Sequence, residues 1–96
     1  MDEVFYGELA QFPYRFCPSG WAYCHGQLLS IAENNVLYTL LGTTYGGDGL
    51  NTFAVPDLRP KDVNGNLLNI QIGDIYEGKA YVETFISLQG IYPQQN

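Results

Sequence analysis

Gly42-Thr43-Thr44-Tyr45-Gly46-Gly47-Asp48-Gly49 divides this 96-residue chain between a helical stretch and an extended one. Just upstream, Ser30-Ile31-Ala32-Glu33 has the spacing of a capping box, in which the serine hydroxyl meets the N3 amide and the glutamate reaches back. Val36, Leu37, Leu40 and Leu41 recur at helical spacing and make one apolar stripe, which predicts a helix over Ile31 to Leu41. Gly42 supplies the left-handed residue that ends it. Gly46 and Gly47 read as turn geometry that carries the chain into the next segment. Downstream, Thr52 to Leu58 is extended and is broken by Pro56.

Further from this centre, the pattern turns to strands. Val4 to Phe12 reads as a strand with a bulge or close contact at Gly7. Phe12-Pro13-Tyr14 and Cys17-Pro18-Ser19-Gly20 are turn chemistry, and Trp21 to Leu29 makes a second strand interrupted at Gly26. Asn64-Gly65 is a tight-turn signal. Leu68, Ile70 and Ile72 alternate with polar residues, as do Val82, Thr84, Ile86 and Leu88, which predicts two more half-buried strands. The expectation is an α+β fold: a small antiparallel sheet, one short helix and glycine-rich turns, forming a single domain over 1–96.

Charge and composition exclude several functions. A net charge of −6 repels phosphate backbones, so nucleic acid is not an expected partner. The apolar run from Val36 to Leu41 is far too short to span a bilayer. Met1-Asp2-Glu3 opens no basic or apolar leader, so no Sec signal is read. Eight tyrosines suit surfaces that are half-buried or meet a partner, because a phenol is apolar along its body and polar at its tip.

No catalytic team or cofactor site emerges. Gly42 and Gly47 have the opening spacing of a phosphate loop, but Asp48 stands where a lysine is needed. Gly47-Asp48-Gly49 lacks the third glycine of a dinucleotide fingerprint and follows a helix instead of preceding one. Cys24 and His25 are strand neighbours that point to opposite faces, so they make no thiolate–imidazole pair. Cys17, Cys24 and His25 are short of a fourth metal ligand in one chain, which leaves only a metal shared between subunits through His25. The carboxylates are scattered, and Ser19, Ser30 and Ser87 sit in no nucleophile elbow. A disulfide between Cys17 and Cys24 is sterically open; the alternative is two small buried hydrophobes. Asp57 and Arg59 share a face and predict a local ion pair that pins the loop after Pro56. Trp21 is read as a core anchor, against a ligand-stacking role. The chain is expected to be no enzyme and to need no cofactor.

Several of these stretches resemble the phage tail collar domain. Gly7-Glu8, Phe12, Pro18-Ser19-Gly20-Trp21-Ala22 and Cys24-His25-Gly26-Gln27-Leu28-Leu29 are similar to its first hairpin, with His25 where asparagine is usual. Asn34 to Gly49 resembles its helix and glycine loop, and Thr52-Phe53-Ala54-Val55-Pro56-Asp57-Leu58-Arg59 its next strand. Phe85 to Pro93 resembles the closing strand of longer bacterial members, often labelled microcystin-dependent proteins. On this resemblance Gly20, Trp21, Gly26, Gly42, Gly46, Gly47, Pro56, Asp57 and Arg59 define the fold. Pro60 to Ala80 stands in place of a much longer insert, the region that carries the receptor-contacting head in short tail fibres. The resemblance therefore implies a structural fibre subunit in a virion tail or at a cell surface, self-associating as a trimer or filament. The strand ends Met1–Phe5 and Tyr92–Asn96 are candidates for exchange between copies. The alternative is a receptor- or glycan-binding fibre tip or adhesin module that recognises a cell surface through exposed tyrosines and Trp21. Other tail or fibre proteins are further candidate partners.

Overall fold

The computed structural model describes residues 3–94. In chain order the elements are β1 (Leu9–Phe12), β2 (Trp21–Tyr23), β3 (Leu28–Ser30), α1 (Asn35–Leu41), β4 (Thr52–Ala54), β5 (Ile75–Tyr76), β6 (Lys79–Ala80) and β7 (Glu83–Ser87). β7 is central to a three-stranded sheet, antiparallel to β1 on one side and to β2 on the other. β3 pairs with β4, and β5 with β6. The expected α+β class is what the chain adopts.

Strand alternation sorts the side chains of the three-stranded sheet. Ala22, Cys24 and Ile86 turn inward and meet Leu37 of α1 with Phe53 and Val55. Leu29, Ile31, Tyr38, Leu41 and Leu88 pack around this cluster. Register places Phe12 opposite Glu83, Tyr23 opposite Phe85 and Trp21 opposite Ser87, all on the outer face. Phe85 and Ser87 are nonetheless as buried as Ile86. β7 was expected to bury one face only; neighbouring aromatic rings cover the other.

Several predicted boundaries are corrected. The strand over Val4 to Phe12 contracts to β1, because Gly7, at φ +78°, bends the chain. Before that bend Phe5 makes a single parallel bridge with Ile91: Tyr6 N–H donates to the Ile91 carbonyl at 3.0 Å, and Ile91 N–H to that of Val4 at 2.9 Å. Residues 1, 2, 95 and 96 of the proposed exchange segments lie outside the described residues. Trp21 to Leu29 divides between two sheets. Gly26 N–H there donates to the Pro56 carbonyl at 3.2 Å, and the Gln27 side chain takes up His25 N–H (3.1 Å) and the Tyr23 carbonyl (2.8 Å).

The helix starts at Asn35 instead of Ile31. Ser30 Oγ does accept from Glu33 N–H at 3.3 Å, but Asn34 N–H closes back onto the Ile31 carbonyl at 3.2 Å. The Asn34 amide also donates to the Ser30 carbonyl at 3.1 Å, so the capping signal makes a tight turn before the helix. Among the described residues Leu68 to Ile72 forms no strand: Leu67 bridges Lys61, Leu68 N–H donates to the Pro60 carbonyl at 3.1 Å, and the chain turns at Ile72. The hairpin forms further on, at β5–β6. The Asn64-Gly65 turn is present and is held by Asp62 Oδ1, which accepts from Asn64 and Asn66 N–H at 2.8 and 2.9 Å.

Candidate functional site

The Gly42–Gly49 loop is closed by its own groups. Gly42 N–H donates to the Tyr38 carbonyl at 2.7 Å and ends α1. Asp48 Oδ1 then accepts three backbone N–H groups, from Leu50 (2.8 Å), Asn51 (2.8 Å) and Thr52 (3.0 Å). These amides hold the Asp48 carboxyl low, at about 2. The donors that a phosphate would need are thus occupied by an anion of the chain itself. Gly47, at φ +95°, lies so close to β4 that a Cβ would sit 2.6 Å from the Thr52 carbonyl oxygen. The loop is consequently a buttress for β4: Ala54 N–H donates to the Gly46 carbonyl at 3.1 Å. A Cβ on Gly46 would come 3.2 Å from that of Ala54.

Asp57 and Arg59 form the local pair expected of them. Arg59 Nε donates to Asp57 Oδ1 and Nη2 to Oδ2, each at 2.9 Å, and Lys61 Nζ adds a third contact at 3.2 Å. The hydrogen bonds from Arg59 keep the Asp57 carboxyl well below the usual carboxylate range. Arg59 Nη2 also donates to the His25 carbonyl at 3.1 Å, which ties the loop after Pro56 to the end of β2. Gly26 fits under Asp57, where a Cβ would meet that of Asp57 at 3.2 Å. Pro56 is buried beside them.

His25 and Cys24 do point apart. The imidazole stacks on Tyr23 at 4.7 Å and its Nε2 lies 3.1 Å from Glu83 Oε1. The Tyr81 phenol is pushed up by burial first and by the nearby Glu83 carboxylate second. Cys24 is sealed in the core, and burial pushes its thiol up to about 11. The disulfide considered above is absent: Cys17 and Cys24 are free thiols, and Cys17 Sγ faces the Trp21 carbonyl at 3.0 Å. Among the described residues no group of three or more His, Cys, Asp or Glu side chains gathers in metal-binding geometry.

The feature that sequence reasoning missed is the outer face of the sheet. Phe12, Tyr14 and Phe16 form a stacked ladder, with centroids 5.3 and 5.2 Å apart and planes within 16° and 6° of parallel. Trp21 meets Phe12 edge-on at 5.2 Å, and Tyr23 and Phe12 flank Phe85 at 5.1 and 5.6 Å. Trp21 is therefore half-buried in this aromatic layer instead of anchoring the core. Tyr14 and Phe16 remain 42% and 63% exposed. The signal was the two-residue spacing of aromatics across Phe12-Pro13-Tyr14-Arg15-Phe16, which the proline disguised as a turn. Gly20 closes the end of this face, where a side chain would strike Gln89.

Between the ladder and Ile70–Ile72 lies an open groove of about 300 Å³, lined by Tyr14, Arg15, Tyr23, Gln71 and Glu83 among others. No helix is long and apolar enough to cross a membrane among the described residues. No curated protein and no solved structure matches the chain. A family model does match, over the segment that holds β1–β4, α1, the Asp48 loop and the Asp57–Arg59 pair. That model is the Phage Tail Collar Domain, matched over residues 7–63 and so over more than half of the chain, and the protein belongs to this family of structural tail-fibre modules.

Proposed function

We propose that the chain is a structural subunit of a phage-tail-like or extracellular fibre and that it works as a homo-oligomer. The observation that carries this reading is surface in excess of what a lone domain needs. The chain exposes 6505 Å², against roughly 5,500 Å² for a monomeric protein of its mass. Its radius of gyration, 14.4 Å, likewise exceeds the roughly 12.5 Å of a self-contained domain this long. Large apolar side chains are among what is exposed: Phe5, Leu9, Phe16, Leu28, Tyr45 and Ile75 are each about half exposed or more. Association removes such surface from water and supplies the burial that a chain this small lacks.

The built scaffold supports a structural role. The polar groups best placed to hold a ligand, the amides around Asp48 and the guanidinium of Arg59, are consumed in internal contacts. Recognition of a surface glycan has less support, since Phe12 and Phe16 stack on Tyr14 and the Trp21 ring leans edge-on against Phe12. Light scattering and electron microscopy of the purified full chain test the proposal. A trimer, closed ring or filament is expected; a monodisperse monomer at micromolar concentration would sink it.

A further inference from the structure

We propose that copies of this chain meet through the outer aromatic face, with Phe16 of one copy seated in the groove beside Tyr14 and Tyr23 of the next. The inference rests on the assembly reading and names the surface that makes it.

The size is appropriate. The surface excess of the whole chain is about 1,000 Å², so a single interface of standard size, ~800 Å² per partner, is enough to account for most of it. The residue types are those that carry binding energy at interfaces, where tryptophan, tyrosine and arginine dominate. Here Trp21, Tyr14, Tyr23 and Arg15 stand on one side of one sheet.

The shape is self-complementary. Phe16, 63% exposed, ends the ladder as a projecting ring, and the 300 Å³ groove beside it is wide enough to take an aromatic side chain. A knob and a hole on the same face let identical copies engage without any third component.

The charges agree with this. The chain carries −6 overall, so copies repel except where a surface is neutral or balanced. Arg15 has no ion-pair partner among the described residues, whereas the groove it borders contains Glu83, held in place by His25 at 3.1 Å. Docking two copies brings the free guanidinium of one towards the carboxylate of the other.

Ring geometry argues against a saccharide as the occupant. Tyr14 stacks on both Phe12 and Phe16 within the ladder, which leaves less of its ring face for a sugar. A projecting ring suits interdigitation with another protein surface.

The test compares the full chain with Phe16→Ser and with Val63→Ser, a change at a fully exposed apolar residue outside this face. Analytical ultracentrifugation reads the assembly constant, and far- and near-ultraviolet circular dichroism confirms that each variant folds. Phe16→Ser is expected to weaken assembly by at least about tenfold while Val63→Ser leaves it unchanged. A photo-crosslinking phenylalanine analogue at Phe16 is expected to join the neighbouring copy within residues 70–72 or at Tyr23. If Phe16→Ser assembles as tightly as the parent chain, or the crosslink maps elsewhere, this face is not the interface, and the assembly reading stands through another surface. If the parent chain is itself monomeric, the assembly reading falls and this inference with it.

Discussion

Asp48 does for its loop what a bound anion does for a glycine-rich nest: one carboxylate oxygen gathers three amides that face the same point. Its folded-state carboxyl is held at about 2, below the ordinary value of about 4. The carboxylate therefore stabilises the fold fully above pH 4, and that contribution is lost as pH falls through about 2. Asp48→Asn should lower the melting temperature at neutral pH and flatten the acid limb of the stability profile between about pH 4 and pH 2, read by thermal melts across that range. Both this role and the Asp57–Arg59 pair were within reach of the sequence, because each closes over two to four residues and depends little on the rest of the chain. The free thiols were not. Whether Cys17 and Cys24 join depends on where β2 turns its side chains, and that is set by a strand some sixty residues away.

The elements teach the complementary lesson. α1 has seven residues, and its cap Asn34 makes no side-chain hydrogen bond to the first turn. A helix this short does not hold itself in water, so its order comes from docking. Leu37 is the side chain that docks it: 1% exposed and in the core cluster with Phe53, Val55 and Ile86. Leu37→Ala should cost about 3 kcal/mol in chemical denaturation. Leu40, at the same helical spacing, is 36% exposed, and its truncation should cost well under half as much. Periodicity located the helix and its end at Gly42 but placed the start early. A serine–glutamate spacing specifies a hydrogen bond, and the same bond also closes a turn. The alternating residues 68–72 show the same ambiguity, since alternation describes an extended chain and does not name a partner. β7 was legible as a strand, yet its central position and two-sided burial follow from pairing with β1 and β2, more than sixty positions earlier.

At the scale of the molecule, a small core and a wide apolar surface make stability a function of concentration. If copies associate as proposed, the melting temperature of the full chain should rise by a few degrees for each tenfold increase in protein, followed by calorimetry. A melting temperature that does not move with concentration would contradict association under those conditions. The bridge between Phe5 and Ile91 bears on the molecule in a different way. Two parallel segments carry the chain in at one end and out at the other, so tension applied along the polypeptide would slide them past one another. The hydrogen bonds from Tyr6 and Ile91 would then resist together, in shear, instead of parting one after the other. A module clasped in this manner takes load before its sheet is reached, and is mechanically suited to a fibre that is pulled.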